Sequence, residues 1–190
     1  MPKISFVCMV KNEEQNLHRL LPTIKTIAHE IVIVDTGSTD STDSTKAYCT
    51  KMGARVIDFP LVWTPDIFAL GKNKGIEEAA NDWIMICDAD EEFSAPLLEN
   101  VRYTVNQQEY NCLWATKVTF HLDRPSWIGK AYVLFNRCKG KFVKTADFHA
   151  DIQGNLVVKN TDSALYHFGW LFNAEEKKQK YNLTTIDSKL

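Results

Sequence analysis

The acidic residues at positions 88–92 are the strongest candidates for chemistry in this sequence. Four carboxyl groups stand within five positions there, directly after an apolar run typical of a strand buried on both faces. Asp88 and Asp90 are two residues apart, so in an extended backbone their side chains point the same way and can converge on one target. A divalent cation would offset their repulsion, and oxygen ligands favour Mg²⁺ or Mn²⁺. The same acids could instead begin a solvated loop before the helix start at Ser94-Ala95-Pro96.

Alternating strand and helix patterns place these acids at the edge of a sheet. Strands are predicted at Ile4–Val10, Glu30–Asp35 and Ala54–Phe59. A first helix is predicted to begin at Lys11-Asn12-Glu13-Glu14, and Pro22 should kink or shorten it. A second helix is predicted from Ser41 to Met52. This order is the signature of a parallel sheet covered by helices, and ligands of such sheets bind beyond the carboxyl ends of the strands. Asp35 ends a strand there, where it could accept hydrogen bonds from a nucleoside or simply form a turn before Gly37.

A further helix is predicted from about Ala69 to Ala80, with Lys72 near its beginning. Backbone N–H groups and the helix dipole favour an anion at that end, so Lys72 could meet a phosphate. A lysine in a first helical turn is also commonly just solvated, and the sequence leaves both interpretations open.

The second half of the chain changes its pattern after a helix predicted at Ser94–Gln107. It alternates like the strands of an antiparallel sheet, followed by a polar stretch and a charged terminal helix. The predicted elements are strands at Cys112–Leu122 and Ala131–Arg137 joined by residues 123–130, a polar segment at Lys139–Asp151, short strands at Leu156–Lys159 and Ala164–Tyr166, and a helix at Asn173–Lys189.

Composition predicts a globular domain covering residues 1–190. The chain has 45% hydrophobic residues and a formal net charge of -2, which gives no indication of a nucleic-acid partner. Its five cysteines lack paired spacing, which favours reduced thiols. The start lacks the apolar core of a signal peptide, and no run approaches membrane-spanning length. We therefore expect a cytoplasmic protein without a transmembrane segment, whose charged terminal helix leaves peripheral membrane contact open.

Three motifs, taken together, resemble the family-2 glycosyltransferases. They are Val10-Lys11-Asn12-Glu13, Val34-Asp35-Thr36-Gly37-Ser38-Thr39-Asp40-Ser41-Thr42 and the segment Trp83–Glu91 with its Asp-x-Asp sequence. Between them, Trp63, Asp66, Phe68 and Lys72-Asn73 are similar to a W…DF…RN segment of that family. The resemblance covers about the first half of the chain. Many members have Asp where this chain has Thr36, and some have Arg where it has Lys72, which would give a point charge in place of a bidentate fork.

The resemblance implies an α/β fold of GT-A type, with a mostly parallel sheet flanked by helices and a smaller antiparallel portion in the second half. Residues 1–92 would bind the nucleotide sugar and residues 93–190 the acceptor. Val10, Lys11, Asn12, Asp35, Lys72, Asp88 and Ala89 would bind the nucleotide sugar, with Asp35 on the nucleoside, Lys72 near the pyrophosphate and Asp88 near the ribose. Asp90 would hold Mn²⁺ or Mg²⁺.

In the second half, the resemblance extends to Phe135-Asn136-Arg137, Phe148-His149 and the later His167 before Gly169. His167 would complete the metal shell, or it is simply a hydrogen-bonded structural histidine. Ala150 stands where a Glu is expected, with Asp151 one residue later. We expect Asp151, or else Asp147, to be the general base, with Glu91 and His149 as further candidates. Trp127 and Trp170 could stack on a sugar ring or pack at the rim of the core.

The predicted function is that of a metal-dependent, inverting glycosyltransferase. It would move a hexose from a UDP-sugar to a hydroxyl of a saccharide or another acceptor, with the metal stabilising the departing diphosphate. One alternative is a sugar-1-phosphate nucleotidyltransferase, against which stands the absence of a Gly-rich phosphate loop after the first strand. Another is a non-catalytic module that binds a nucleotide sugar or a glycan.

Overall fold

One mixed sheet of eight strands runs through this computed structural model. The structure describes residues 2–39, 44–62, 64, 66–107, 109–121, 124–144 and 150–169. The strands are β1 (Ile4–Val10), β2 (Glu30–Asp35), β3 (Arg55–Asp58), β4 (Trp83–Ile86), β5 (Glu91–Phe93), β6 (Cys112–His121), β7 (Arg124–Asn136), β8 (Gly140–Lys144), β9 (Ala150–Gly154) and β10 (Val158–His167). The helices are α1 (Glu14–Ile24), α2 (Ser44–Lys51), α3 (Ile67–Glu78) and α4 (Ala95–Asn106).

The first four strands form the parallel part of the sheet, as predicted. The full strand order is β3-β2-β1-β4-β7-β6-β10-β5, and β1 pairs in parallel with both β2 and β4. The residues of β1, β2 and β4 are almost all buried because helices cover both faces, whereas the edge strand β3 is only partly buried. The carboxyl ends of β1, β2 and β4 therefore lie side by side at one edge of the sheet.

The side chains of alternate residues of these strands pack in two hydrophobic clusters, one on each face of the sheet. Phe6 and Cys8 of β1 face the cluster that includes α1 and α4, whereas Val7 faces the cluster that includes the end of α3. α3 approaches β1 closely at Gly75, where a Cβ would collide with the side chain of Val7. This close approach brings the middle of α3, with Lys72, over the sheet edge where β1 and β4 end. Because α3 begins at Ile67, Lys72 does not stand in the first helical turn, where the sequence predicted it.

Local sequence explains where α4 begins, but not where α1 ends. Ser94 caps α4 by accepting a hydrogen bond from the N–H of Leu97 at 3.3 Å, and a proline stands in the first turn, as the Ser94-Ala95-Pro96 pattern predicts. α1 runs from Glu14 to Ile24 with Pro22 inside its last turn, so the proline does not end the helix. α3 begins at Ile67, two residues earlier than predicted.

The second half of the sheet is where the sequence-based predictions were wrong in detail. β7 begins at Arg124, so residues 124–130, predicted as a connection, are strand residues paired with β6. β8 lies inside the segment predicted only as polar and pairs with β9, which begins there and extends to Gly154. The two short strands predicted near the end are one strand, β10. β6 and β7 pair antiparallel, as predicted, and β10 runs parallel to β6. Pairing between distant strands overrides local sequence patterns at these positions.

The predicted terminal helix, Trp63, Asp147, His149 and Trp170 lie outside the described residues. Among the described helices, none is long and apolar enough to cross a membrane.

Candidate functional site

The loops after β1 and β2 are tied together at the carboxyl edge of the sheet. The N–H of Asn12 donates to Ser38 Oγ at 2.9 Å, and the N–H of Thr39 donates to Asn12 Oδ1 at 2.8 Å. Asn12 takes a positive φ of 54°, a conformation that asparagine tolerates better than most residues. Thr36 fastens the two strand ends through its N–H and its hydroxyl, which both donate to the carbonyl of Val10.

Asp35 at the end of β2 is buried, and the described residues donate hydrogen bonds to only one of its two carboxylate oxygens. Its Oδ1 accepts hydrogen bonds from the N–H groups of Gly37 and Ser38, at 2.9 and 2.8 Å. Its Oδ2 is buried and has no hydrogen-bond partner among the described residues. Buried carboxylate oxygens are rarely left without a donor, so this atom is suited to accept a hydrogen bond from a ligand.

Lys72 and Asp88 form an ion pair between α3 and the loop after β4. Lys72 Nζ lies 3.1 Å from Asp88 Oδ1, and 5.4 Å from the centre of the Phe142 ring. Burial tends to lower the pKa of Lys72, but the carboxylates of Asp88 and Glu91 outweigh it and raise that pKa. Burial likewise tends to raise the pKa of Asp88, and Lys72 and Lys117 hold it well below its usual value. Both side chains are therefore charged at neutral pH.

Asn73, beside Lys72, fixes α3 to the β8–β9 hairpin. Its amide group donates to the carbonyl of Phe142 at 2.9 Å and accepts from the N–H of the same residue at 3.1 Å. This two-way pairing satisfies both backbone groups of one strand residue and explains why an amide follows the lysine.

Asp90 and His167 meet at the same edge, although 77 positions separate them in the sequence. His167 Nε2 lies 3.4 Å from Asp90 Oδ2, and the hydroxyl of Thr119 lies 3.1 Å from the other ring nitrogen, His167 Nδ1. The N–H of Phe168 also donates to the carbonyl of Asp90 at 2.9 Å. Strand pairing causes this meeting, because β10 lies between β5 and β6 and pairs His167 with Glu91 on one side and Thr119 on the other.

Lys117 is a site residue that the sequence did not reveal. Its Nζ lies 2.5 Å from Glu91 Oε1, while Glu91 Oε2 accepts a hydrogen bond from the backbone N–H of Asp88 at 2.9 Å. Burial and the neighbouring acids Asp88 and Asp90 raise the pKa of Glu91 despite this lysine. Lys117 sits within β6 and its partner belongs to β5, so only the strand order brings the two together. The sequence does not indicate this contact, because Lys117 is an isolated lysine in an alternating strand pattern.

The arrangement of Asp90 and His167 fits a divalent cation that is shared with a ligand. Among the described residues, no group of three or more His, Cys, Asp or Glu side chains could hold a metal ion alone. Cations that serve nucleotides usually take one or two protein ligands and complete their shell with phosphate and water oxygens. Gly169 keeps this space open, because a Cβ there would lie 2.6 Å from His167 Nε2 and closer still to Asp90 Oδ2.

The remaining predicted residues are placed as follows. Val10 and Ala89 are buried and Lys11 is half-buried, all at the carboxyl edge. Asp151 is exposed on β9, where its Oδ1 accepts from the N–H of Ile152. Burial raises the pKa of Cys112, and the nearby charge of Asp151 raises it further. Asp151 therefore lies near the start of β6, about 20 Å along that strand from Thr119. The structure therefore does not bring Asp151 together with the acids of the edge, and its role stays a prediction.

Comparison with known sequences decides the family. The model described as "Glycosyl transferase family 2" matches residues 5–169. The chain belongs to this family. An uncharacterized glycosyltransferase of Rickettsia felis is 30% identical over 195 residues, which cover 98% of this chain and 65% of that protein. Glycosyltransferase SunS of Bacillus phage SPbeta is 34% identical over 100 residues, covering 49% of this chain and 21% of its own length. The chain thus spans only part of the curated relatives that it matches.

Solved structures share the fold of this family-2 domain at low sequence identity. The S. aureus protein TarS, as a fragment of residues 1–349, aligns with a TM-score of 0.57 and 16% identity over 87% of this chain and 60% of the fragment. The same fragment in complex with UDP-GlcNAc aligns with a TM-score of 0.50 and 18% identity over 62% of this chain and 35% of the fragment. These likenesses confirm the predicted GT-A-type α/β fold.

Proposed function

We propose that this domain binds a UDP-sugar and a divalent cation and transfers the hexose to a hydroxyl acceptor with inversion. The observation that carries the proposal is the grouping of three different binding elements at one sheet edge. They are a buried carboxylate oxygen of Asp35 that has no donor within the described part of the chain, a cationic Lys72 held by Asp88, and the Asp90–His167 pair. A nucleoside diphosphate needs a hydrogen-bond acceptor, a positive charge and a metal ion, and the edge offers a partner for each.

The nucleoside would bind between the loops after β1 and β2. Asp35 Oδ2 would accept a hydrogen bond from the base or the ribose, because its Oδ1 is already used by the backbone of Gly37 and Ser38. The hydrogen bonds between Asn12 and residues 38 and 39 would hold these two loops at a fixed separation. The complex of the TarS fragment with UDP-GlcNAc supports uridine as the base.

The diphosphate would lie between Lys72 and the Asp90–His167 pair. Mn²⁺ or Mg²⁺ held by Asp90 and His167 would stabilise the charge that develops on the departing diphosphate. Lys72 would add a second positive charge, and its ion pair with Asp88 keeps its flexible side chain directed at the site. Glu91 and Lys117 would keep the loop between β4 and β5 in place, since Glu91 binds the backbone of Asp88.

Inverting transfer further requires a base that takes the proton of the acceptor hydroxyl as its oxygen attacks the anomeric carbon. Asp151 and Asp147 remain our proposals for this role. Asn73 fixes the β8–β9 hairpin to α3, and Asp151 lies away from the edge in this structure, so the pH profile of Asp151→Asn is a direct test of its role. A loss of the acidic limb, where protonation of the base lowers the rate, would support the role, and an unchanged profile would remove Asp151 from it.

The experiment that tests the function measures UDP released from a panel of UDP-sugars with Mn²⁺, with and without acceptors. We expect release that falls at least a hundredfold in Asp90→Ala and is unchanged in Asp162→Ala, which removes a fully exposed acid from the same strand as His167. Asp35→Asn should weaken UDP binding about tenfold without unfolding the protein, because an amide oxygen can still accept from Gly37 and Ser38. Pyrophosphate formation from a sugar phosphate and a nucleoside triphosphate, or UDP-sugar binding without turnover, would contradict the proposal.

A further inference from the structure

A row of side chains runs across the strands from the candidate metal position to Trp127. Glu91 of β5 pairs with His167 of β10, His167 pairs with Thr119 of β6, and Thr119 pairs with Trp127 of β7. Directly paired residues of neighbouring strands project from the same face of a sheet. The contact between the Thr119 hydroxyl and His167 Nδ1 confirms a shared face for those two, so Trp127 projects from the face that carries the site.

The indole of Trp127 lies over Gly129, two residues farther along the same strand. A Cβ at Gly129 would collide with the six-membered ring, so the ring occupies the place where the side chain of residue 129 would stand. Gly129 pairs with Lys117, which holds Glu91 beneath the candidate metal position. The glycine therefore lets the indole lie along the strand toward the site.

Trp127 differs from the other described tryptophans in its surroundings. Trp114 stacks on Tyr132 with 5.3 Å between the ring centres, and Trp83 packs against the hydrophobic core. Trp127, by contrast, is 54% exposed. A large ring that rests on backbone on one side and faces solvent on the other is an unsatisfied apolar surface, which is typical of a binding position.

We propose that Trp127 is the platform on which a sugar ring of the acceptor stacks, so that the acceptor is a saccharide. This inference rests on the proposed function and names its acceptor class. Two strand spacings separate Trp127 from His167, about 10 Å, which leaves room for the transferred sugar between the metal and the platform. The C–H face of a pyranose is apolar, so it matches the exposed face of the indole.

The test compares wild type with Trp127→Ala and the matched control Ile128→Ala. Ile128 is the next residue, is 67% exposed and projects from the opposite face of the strand. Saturation-transfer NMR, in the presence of UDP and Mn²⁺, would measure the binding of maltose, lactose, chitobiose and the non-saccharide glycerol. We expect at least one disaccharide to bind wild type and Ile128→Ala equally, and Trp127→Ala about fivefold to tenfold more weakly. Trp127→Phe should recover part of the loss.

The failure of the platform can be told apart from the failure of the proposed function. UDP affinity should be the same in wild type and Trp127→Ala, because Trp127 stands two strands away from His167. If wild type binds UDP but no disaccharide, or binds the disaccharides as well in Trp127→Ala, the platform is overturned. If wild type binds no UDP, the proposed function fails first.

Discussion

The two ends of the large sheet hold their charged residues in different ways. In the parallel part, Asp35 stands at the end of a strand, and one of its carboxylate oxygens has no donor among the described residues. At the other end, Glu91 and Lys117 stand within strands β5 and β6 and bind each other, with 4% and 20% of their side chains exposed. The first arrangement leaves hydrogen-bonding capacity for a ligand, and the second uses that capacity up inside the protein.

This difference separates binding residues from positioning residues. A strand end can present a carboxylate oxygen to a ligand because the backbone is leaving the sheet, whereas a side chain inside a buried strand must find its partner in the neighbouring strand. Asp88 connects both arrangements, since its side chain binds Lys72 and its N–H binds Glu91. We therefore expect substitutions at Glu91 and Lys117 to act on stability and loop position, and substitutions at Asp35 and Asp90 to act on ligands.

The largest effect is expected when the buried pair is broken on one side. Lys117→Met leaves the carboxylate of Glu91 buried without its cation, and removing one partner of such a pair typically costs about 3 kcal/mol or more. Urea unfolding should therefore show a free energy of unfolding lower by about 3 kcal/mol. The double variant Lys117→Met/Glu91→Gln should recover much of this loss, because no unpaired charge remains.

The control for this prediction is Lys130→Met on the neighbouring strand. Lys130 lies 3.6 Å from Asp162, whose side chain is fully exposed, so its removal should change the free energy of unfolding by less than about 1 kcal/mol. Equal losses in the two lysine variants would contradict the distinction between buried and exposed pairs.

A smaller effect, confined to the metal, is expected for Gly169→Ala. The added methyl group would displace Asp90 and His167 from each other, since its carbon would lie 2.6 Å from His167 Nε2. Isothermal titration with Mn²⁺ and UDP should show metal affinity lower by about tenfold to a hundredfold, with the melting temperature little changed. Asn160→Ala, an exposed change on β10, should leave the affinity as in wild type. If Gly169→Ala binds Mn²⁺ as tightly as wild type does, the space beside Gly169 does not hold the metal.

Much of the first half of the fold was predictable because its signals are local. Buried strands of the parallel sheet read as apolar runs, and the acids at their ends interrupt those runs, so Asp35, Asp88 and Asp90 stood out in the sequence. The helix start at Ser94 was visible for the same reason, because the capping residue and the proline are neighbours.

The second half was less predictable because its pairing is not local. β10 pairs with β5 and β6, which precede it by dozens of residues, and this insertion alone brings Lys117 to Glu91 and Thr119 to His167. His167 was proposed only through the family resemblance, and no pattern in the sequence linked it to Asp90. Residues 124–130 resembled a connection, yet they extend β7 because β6 provides a partner strand beside them.

The smallest effect is expected at Glu30, which begins β2 and, with its exposed partner Arg55, is the less buried counterpart of the Glu91–Lys117 pair. Burial tends to raise the pKa of Glu30, but hydrogen bonds from Ser5, the N–H of Ala80 and Arg55 outweigh it and lower that pKa. A lowered pKa stabilises the fold above the unfolded-state value near 4.3, and the contribution is lost as the pH falls through the folded-state value. Glu30→Gln should therefore cost less than about 1 kcal/mol at pH 7, since Arg55 is 44% exposed, and the difference from wild type should shrink in acid. Urea unfolding at pH 7 and in acid checks this prediction. If Glu30→Gln lowers the free energy of unfolding at pH 7 as much as Lys117→Met does, the different burial of the two pairs does not explain their different contributions to stability.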